Sequence, residues 1–444
     1  MSETRLRLLT LNCWGLKYVS KHRRERVSAI ADALAASDHD VITLQELWVF
    51  ADYEYVRDIV SKRLPHSKFF YSGALGAGLV ILSRFPIIAA TIHPYSLNGS
   101  PIDVAAGDWF VGKAAASILL AHPILGHVQV FNTHLFAKGG DEGSEYQKAH
   151  RLVNAWEFAK LARQSAELGR YVIASGDFNS VPNSLPMAII RDHAGLTDAW
   201  TVTHPNTPEP SAASPPSPEH AIRTHGVTAD SPLNSYSAGK PLEPLARKFQ
   251  GKRLDYVFFR HPSNAGAPIL RPIDTRVVLT ERVPGCSFSF SDHFGLEATF
   301  AIEGEDSAGS PQAPSVALSS VSSTQHPASA KDISPESITL ALTSLMARYR
   351  FAQSQARTQL TVFAVCIALL LAIIVGSAWF PRSWINPIFL ILTVALAWLA
   401  TTMLYIGFVY GNWEVNALTN IIEELELYRG MLLDQRRSRS SRSA

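Results

Sequence analysis

Cysteine and charged residues are both scarce in this chain of 444 residues. Its 3 cysteines exclude a scaffold held by several disulfides and favour a reducing compartment. Charged residues make up 18% and the formal net charge is +2, which excludes a strongly basic nucleic-acid-binding protein. The opening MSETRLRLLTLNCWGL lacks the apolar stretch of a secretory signal peptide, so early export is not expected.

Apolar residues are concentrated near the C-terminus. Residues 360–380 and 387–411 contain no Asp, Glu, Lys or Arg, and each run is long enough to cross a bilayer as a helix. Their short connection predicts a transmembrane hairpin, since buried core helices rarely run so far without a charge. Arginines flank the hairpin more densely than they occupy its loop, so both flanks are expected in the cytosol. This topology fits a protein of the endoplasmic reticulum or of another internal membrane, such as a mitochondrial one.

Composition divides the chain into three parts. Residues 1–302 are predicted to be globular, with a Pro-rich surface insertion at 203–220. Residues 303–335 are rich in Ser, Ala and Pro, which is typical of a flexible linker. Residues 336–444 form the predicted membrane domain, which ends in a basic cytosolic tail.

The globular part alternates short apolar runs with stretches of helical periodicity. Many strands with helices on both sides predict an α/β fold, a four-layer α/β sandwich. The predicted strands are 6–12, 41–45, 79–83, 116–120, 128–133, 171–175, 254–259 and 296–301, and the predicted helices are 21–36 and 145–168.

Polar side chains recur where the predicted strands begin or end. Any one of them has an ordinary explanation as a helix cap or turn residue. Their repetition along one chain instead favours an active site built at one edge of a sheet. They are Asn12, Glu46, His134, Asp177, Asn179, Asp255, Asp292 and His293.

These residue types suit phosphoester chemistry. A carboxylate with an amide and no thiolate suits a hard cation such as Mg²⁺, and Glu46 and Asn12 are the natural ligands. An Asp–His pair provides a general base and the group that orients it. Asparagines and a second histidine can hold the oxygens of a five-coordinate phosphorus centre.

Six motifs carry a resemblance to a known family: TLNCWGL, LQELW, NTHLF, SGDFNSVP, RLDYVFF and SDHFGLEA. In this order they resemble the endonuclease/exonuclease/phosphatase superfamily over nearly all of residues 1–300. Within it the chain is similar to the neutral sphingomyelinase and fungal inositol phosphosphingolipid phospholipase C family. GDWFVGKA at 107–114 resembles that family's Asp–Lys motif, and DSPLNSYSAGK at 230–240 resembles a substrate-side segment of the fungal members. Two C-terminal spans also match.

The resemblance implies a role for each matched residue. Glu46 corresponds to the Mg²⁺ ligand, with Asn12 beside it. His293 corresponds to the general base that takes a proton from water. Asp255, and by the same resemblance Asp292, would orient or assist His293.

The remaining matched residues are implied to act on the phosphate. Asp177 and Asn179 correspond to residues that bind the attacking water and the phosphoryl oxygens. His134 corresponds to a histidine that contacts the phosphate in the transition state. Asp108 and Lys113 would form a switch in which anionic lipid helps to bring Lys113 near the active site; without the resemblance they are two charges on a surface loop.

The implied activity is a membrane-anchored, Mg²⁺-dependent phospholipase C. It would hydrolyse inositol phosphosphingolipids, sphingomyelin or both to ceramide and a phosphorylated head group, with the fungal-like segment favouring the inositol lipids. Phosphatidylserine or another anionic phospholipid is the expected activator, and no nucleic-acid partner is expected. The hairpin could pack against a copy of itself as a homodimer.

Other functions stay open. A nuclease of the superfamily would have a basic face and no spans, and a phosphoinositide 5-phosphatase would carry a Trp-Cys-Asp-Arg motif near RLDYVFF. Phosphoinositides and lysophospholipids remain alternative substrates. A non-enzymatic scaffold would be expected to lack at least one site residue. KHRRER at 21–26 is either a solvated helix start or a contact for anionic lipid.

Overall fold

A computed structural model describes residues 4–104, 107–140, 143–211, 214–262, 266–304, 333–380 and 383–443. The chain forms two compact units. The first comprises Met1–Tyr95, Phe110–Asp141 and Asn154–Ile333, and the second comprises Ser96–Trp109, Glu142–Val153 and Ser334–Ala444. Most of the predicted linker lies outside the described residues.

The first unit contains two six-stranded mixed sheets. The first sheet has the strand order β11-β12-β1-β2-β4-β3, and the second has the order β5-β6-β7-β8-β10-β9. The strands are β1 (Arg5–Asn12), β2 (Val41–Gln45), β3 (His66–Phe70), β4 (Leu79–Ser83), β5 (Ile87–Pro94), β6 (Ala114–His122), β7 (Gly126–His134), β8 (Tyr171–Asp177), β9 (Thr197–Asp198), β10 (Asp255–Arg260), β11 (Ile269–Val278) and β12 (Gly295–Glu303).

Seven helices begin within the described residues of 5–303. The two longest are α3 and α1, and four of the others have ten residues or fewer. They are α1 (Arg23–Ala36), α2 (Phe50–Val60), α3 (Glu145–Glu167), α4 (Leu185–Ala194), α5 (Ala199–Thr203), α6 (Pro218–His225) and α7 (Pro244–Phe249).

Alternation along the strands builds separate cores on the two faces of the first sheet. Leu8 packs in a cluster that also contains Ile118 and Ile173 of the second sheet. The next residue, Leu9, packs instead in a cluster with Val27 and Ile30 of α1. Successive side chains of a strand point to opposite faces, so an apolar run buried on both faces is the expected signature of such a sheet.

The predicted four-layer α/β class is confirmed, and each predicted strand and helix is present with small shifts of its ends. Four strands and five helices were not predicted. The unpredicted strands are short or exposed, as in β9 and in β5, whose middle residues are open to solvent. The insertion at 203–220 ends in the start of α6.

Long helices dominate the second unit. They are α8 (Pro335–Trp379), α9 (Asn386–Leu404) and α10 (Gly411–Ser443), with a 3-10 turn at Ser383–Ile385 and a π-helical segment at Tyr405–Tyr410. Helix α8 therefore begins well before the predicted span at 360, and the second helical stretch continues beyond 411. Two stretches, Pro335–Trp379 and Ser383–Ser438, are long and apolar enough to cross a membrane by length and composition. The two apolar helices form the candidate hairpin.

A buried ionic cluster lies inside the second unit. Glu414 Oε1 lies 2.7 Å from His150 Nε2 and 2.6 Å from Arg348 Nε, and Glu414 is 2% exposed. His150 Nδ1 accepts a hydrogen bond from the backbone N–H of Gly99 at 2.9 Å. The ring nitrogen that faces Glu414 is therefore the one that carries the proton, and the Arg348 cation supplies the counter-charge to the carboxylate.

Replacing Glu414 with glutamine is expected to destabilise this unit by about 3 kcal/mol, because Arg348, whose side chain is only 11% exposed, would lose its counter-charge. Thermal unfolding of the full chain in detergent would measure the change. Glu423→Gln on the same helix is the matched control, since Glu423 is exposed. Equal stability of the two variants would contradict a structural role for the cluster.

Candidate active site

Strand register gathers the predicted site residues at one edge of the two sheets. In the first sheet β1 and β2 run parallel, with Asn12 opposite Gln45 at their C-terminal ends. In the second sheet β7 and β8 run parallel, with His134 opposite Asp177. Strand β10 runs antiparallel to β8, so its first residue, Asp255, also lies opposite Asp177. The first residue of β10, Asp255, therefore lies at the same edge as the last residues of β7 and β8, His134 and Asp177.

Asn12 joins the carboxylates of the two sheets. Its Nδ2 donates to Glu46 Oε1 at 3.1 Å and to Asp177 Oδ2 at 3.0 Å. Its Oδ1 accepts from the backbone N–H of Trp14 at 3.0 Å. The amide therefore holds two carboxylates that come from different sheets, while its own oxygen is occupied by the backbone.

Burial dominates the electrostatics of these carboxylates. Burial, with a further contribution from Asp292, raises the pKa of Glu46 to about 7. Burial raises the pKa of Asp177 to about 6, although His293 acts in the opposite direction. The pKa of Asp292 is raised by burial as well. Three crowded carboxyl groups with raised pKa values form a local concentration of negative charge that a cation would neutralise.

His293 and Asp255 form a hydrogen-bonded pair. His293 Nδ1 lies 2.9 Å from Asp255 Oδ2, and His293 Nε2 lies 3.9 Å from Asp177 Oδ2. Burial disfavours the imidazolium, but Asp255, Asp177 and Asp292 outweigh it and raise the pKa of His293 well above its usual value. Asp255 is fully buried, and its backbone N–H donates to Thr228 Oγ1 at 3.3 Å. Asp255 thus fixes the ring so that Nε2 faces the centre of the site.

Lys113 also lies in this site. Its Nζ is 3.1 Å from His134 Nε2 and 2.8 Å from the carbonyl oxygen of Leu135, and the residue is 3% exposed. His134 Nε2 lies 3.5 Å from Asp177 Oδ2 and 3.8 Å from Glu46 Oε1. Burial, followed by the Lys113 ammonium, lowers the pKa of His134 well below its usual value. The site thus holds a neutral histidine beside a buried cation. Asp108, the other half of the predicted switch, is buried and belongs to the second unit.

Strained backbone occurs at the residues that carry the chemistry. Glu46 and Asn179 have φ values of 55° and 46°, in the left-handed region that residues other than glycine seldom adopt. Asn179 is held by its N–H, which donates to Asp177 Oδ1 at 2.8 Å, and by its Nδ2, which donates to Leu135 O at 2.9 Å. Gly176 in SGDFN packs so closely that a Cβ there would overlap the carbonyl oxygen of Thr133. These motif residues are therefore set by backbone geometry as well as by chemistry.

Polar residues between the sheets also support the site. No role was predicted for them, although three lie inside the motifs LQELW, NTHLF and SGDFNSVP. Gln45 Nε2 donates to Asn132 Oδ1 at 2.7 Å, and Thr43 Oγ1 lies 2.9 Å from Ser175 Oγ. All four residues are buried. These hydrogen bonds cross from one sheet to the other. They fix the position of Glu46, which follows β2, relative to Asp177, which ends β8.

Arg26 is a second supporting residue that sequence reasoning missed. It is fully buried and donates to four backbone carbonyls, those of Lys21, Cys13, Trp14 and Phe290. It therefore joins the loop after Asn12 to the loop before His293. Its place within the charged run KHRRER concealed this role, because such runs are usually solvated.

Two arrangements of ligands for a divalent ion are present. Ligand atoms of Asp177, Asp255 and His293 all lie within 4.8 Å of one another. In that cluster the hydrogen bond between His293 and Asp255 already occupies Nδ1 and one carboxylate oxygen. The carboxylates of Glu46 and Asp177, both bonded to Asn12, present hard oxygen ligands. Glu46 therefore remains the predicted ligand of a divalent ion.

Comparisons with known proteins identify the family of the chain. Residues 9–293 match the model of the Endonuclease/Exonuclease/phosphatase family, and the chain belongs to this family. The inositol phosphosphingolipids phospholipase C of Schizosaccharomyces pombe is 36% identical over 424 residues, covering 95% of this chain and 93% of the relative. Sphingomyelin phosphodiesterase 2 of Rattus norvegicus is 32% identical over 299 residues, covering 67% of this chain and 65% of the relative.

A solved structure, sphingomyelinase C from Streptomyces griseocarneus, covers 67% of this chain and 99% of its own, with a TM-score of 0.46 and 19% identity. The predicted relationship to the sphingomyelinase and inositol phosphosphingolipid phospholipase C family is confirmed by the sequence matches. The chain is accordingly an enzyme, a phosphoric diester hydrolase.

Proposed function

We propose that this chain is a membrane-anchored, Mg²⁺-dependent phospholipase C that hydrolyses phosphosphingolipids to ceramide and a phosphorylated head group. One observation carries the proposal. The hydrogen-bonded pair of His293 and Asp255 faces the carboxylates of Glu46 and Asp177 at a single sheet edge. A base with its orienting carboxylate beside a hard-cation site is the equipment that phosphodiester hydrolysis by water requires.

The base in this proposal is His293. Because Nδ1–H donates to Asp255, Nε2 is the atom that takes the proton from water when the imidazole is neutral. A cation bound at the neighbouring carboxylates would lower the raised pKa of His293 and favour that neutral form. Asp177 accepts a hydrogen bond from that water, and Asn179 donates to a phosphoryl oxygen. Asp292 adds negative charge that favours the imidazolium formed after proton transfer. The hydroxide would then attack phosphorus in line with the departing ceramide oxygen.

Mg²⁺ is proposed to bind Glu46 and Asp177. Asn12, the other predicted ligand, donates through Nδ2 to both carboxylates and so would hold them in place. To bind the ion itself, Asn12 would have to turn its amide oxygen toward the carboxylates. When bound, the ion supplies charge neutralisation for the phosphate and the leaving oxygen. The oxygen-only donor set fits Mg²⁺. Burial is the main cause of the raised pKa of Glu46 and Asp292 adds to it, and a bound cation would offset both effects.

Lys113 and His134 are proposed to hold the phosphate. The Lys113 ammonium lies 3.1 Å from His134 Nε2, so the two side chains are adjacent in the site and Lys113 brings the positive charge. Asp108 and Lys113 remain a proposed switch, in which phosphatidylserine or another anionic phospholipid acts as the activator.

Inositol phosphosphingolipids are the proposed first substrate. The segment DSPLNSYSAGK at 230–240 is fixed to the catalytic loop: Asn234 Nδ2 donates to Ser291 O at 2.8 Å, and Ser235 and Ser289 exchange backbone-to-hydroxyl hydrogen bonds. This segment resembles the substrate side of the fungal members. A segment attached beside His293 is well situated to contact a head group.

The membrane anchor is proposed to be the hairpin of α8 and α9, with the globular part in the cytosol at the endoplasmic reticulum or another internal membrane. Arginines such as Arg348, Arg350 and Arg357 precede the apolar stretch, which favours a cytosolic flank. Anchoring raises the local concentration of a bilayer substrate around the catalytic unit.

Ceramide release by the full chain purified in detergent tests the function. Inositol phosphoceramide and sphingomyelin would be compared with and without Mg²⁺ and phosphatidylserine. We expect Mg²⁺-dependent release by the wild type, faster from the inositol lipid and faster with phosphatidylserine. Glu46→Ala should abolish the release, whereas Glu281→Ala at an exposed position should retain it.

Absence of ceramide from both lipids under every condition would refute the proposal. Lysophospholipids and phosphoinositides would then be the phosphodiesters to test with the same variants. If the wild type hydrolyses either of these lipids and Glu46→Ala does not, the assignment of the site would stand and only the proposed substrate would change.

A further inference from the structure

Exposed apolar side chains are grouped on two loops of the first unit. Tyr18 is 89% exposed and Val19 is 65% exposed in the loop that follows β1. Tyr71 is 60% exposed and Leu75 is 56% exposed in the loop between β3 and β4. Isolated apolar residues are ordinary on a protein surface, but several on neighbouring loops indicate an interaction surface. We call these four residues together with Lys17 the rim.

Backbone hydrogen bonds connect the rim loops to the active site. Gly15 N donates to Glu46 O at 2.8 Å, and Leu47 N donates to Gly78 O at 3.1 Å. The loop after β1, the segment that carries Glu46 and the loop before β4 are therefore adjacent. All three lie at the catalytic edge, because β1 and β2 end there and β4 pairs antiparallel with β2.

The loop between β3 and β4 is also packed against the segment that carries Lys113. Leu75 N donates to Phe110 O at 2.9 Å. Gly73 and Gly112 have φ values of 57° and 50°, and a Cβ on either would overlap the backbone of the other. Leu75 is therefore exposed on a loop whose backbone is held in place by close packing and hydrogen bonds.

Basic side chains border the rim. Lys17, Lys21 and Arg24 are exposed, and none forms an ion pair with a carboxylate in the described part of the chain. Lys17 Nζ lies 5.3 Å from the centre of the Tyr18 ring. Arg23 behaves differently, since it pairs with Asp52. The charged run KHRRER thus leaves Lys21 and Arg24 facing solvent.

We propose that the rim docks on the surface of a bilayer that contains anionic phospholipid and thereby holds the catalytic edge against it. Apolar and aromatic side chains enter the region between head groups and acyl chains, and lysine and arginine beside them contact anionic head groups. The inference rests on the proposed function, because a substrate in a bilayer requires the site to face the lipid. It adds the surface and the orientation of the catalytic unit.

Depth measurement on the full chain tests the proposal. The chain would be reconstituted into vesicles of phosphatidylcholine alone or mixed with phosphatidylserine, since membrane spans would bind vesicles whatever the rim does. An environment-sensitive dye would be attached at Tyr18→Cys in a Cys286→Ser background, because Cys13 and Cys366 are buried. Quenching by lipid-borne quenchers would then report contact with the bilayer.

Leu168→Cys is the matched control. Leu168 is 69% exposed and precedes Tyr171, the first residue of β8, whose other end carries Asp177. Position 168 therefore lies at the far edge of the sheet, about 20 Å from the site along a seven-residue strand. We expect strong lipid quenching at position 18, stronger with phosphatidylserine, and little at position 168.

Equal quenching at the two positions, or none at position 18, would overturn the proposal. A dye at position 18 that is shielded from water-soluble quenchers and also untouched by lipid quenchers would indicate a protein partner or a second copy, and would overturn it as well. Quenching does not require turnover. A chain that releases no ceramide would refute the proposed function, and the quenching at position 18 would still show whether the rim contacts the bilayer.

Turnover supplies a second readout. Tyr18→Ser combined with Val19→Ser should lower the ratio of vesicle hydrolysis to hydrolysis of a soluble short-chain substrate by about tenfold, because two apolar side chains no longer enter the bilayer. Leu168→Ser should leave that ratio unchanged. An unchanged ratio in the double variant would contradict the proposal.

Discussion

Replacing His293 with asparagine is expected to lower kcat for phosphodiester hydrolysis by about 10³- to 10⁴-fold. The variant loses the nitrogen that takes the proton from water, while a side chain that can still donate to Asp255 remains. KM should change little, because His293 is assigned to proton transfer and the phosphate contacts are assigned to Lys113 and His134. Steady-state kinetics on the preferred lipid would measure both constants.

Two further variants sharpen that test. Asp255→Asn should also lower kcat strongly, because an amide opposite Nδ1 can stabilise the wrong tautomer of His293. His127→Asn is the matched control: His127 is exposed at the other end of β7 from His134 and should retain full activity. A His293→Asn enzyme within tenfold of the wild type would refute the assignment of His293 as the base.

The strand ends that carry the site were predictable because two sequence signals coincide there. A short, mostly apolar run such as VITLQ indicates a buried strand, and the charged Glu46 that follows it has no place in a core. Asp255 precedes a strand instead of following one. Because β10 runs antiparallel to β8, its first residue lies at the edge where β8 ends. The sequence pattern thus predicts the strands, and the sheet topology brings their polar ends together.

Edge strands were not predictable for the converse reason. β5 lies at one edge of the second sheet, and its central residues are exposed, so its composition carries no burial signal. β11 lies at the edge of the first sheet and contains Pro272, at which the register with β12 shifts. A proline within a run argues against a strand unless the strand is an edge strand or is bulged.

Long-range polar partners escaped prediction because sequence reports residue type and leaves pairing unspecified. Arg26 looks like part of a solvated basic run, yet it is buried against backbone carbonyls that include that of Phe290, 264 residues away. His150 and Glu414 are separated by the same number of positions and form a buried hydrogen bond. Only the folded chain brings such groups together, and burial then decides what each one does.

Mg²⁺ affinity is expected to fall as the pH is lowered below about 7. Burial and the neighbouring Asp292 raise the pKa of Glu46 to about 7, so below that pH the metal-free protein holds a proton on this carboxyl group. Binding of the ion requires the carboxylate and therefore releases the proton. One released proton weakens the apparent affinity by about tenfold per pH unit in that range, and the dependence should disappear above the pKa. Calorimetric titration in buffers with different ionisation enthalpies would count the protons.

Glu46→Gln separates this effect from other titrating groups. The variant should bind Mg²⁺ at least about 100-fold more weakly, because an amide supplies no charge to the ion, and any binding that remains should release fewer protons. Glu281→Gln, at an exposed position, should keep both the affinity and the proton release of the wild type. Proton release that persists unchanged in Glu46→Gln would contradict the assignment of Glu46 as the titrating ligand. Asp177, whose pKa burial raises to about 6, would then be the titrating ligand. The ion would be assigned to the cluster of Asp177, Asp255 and His293.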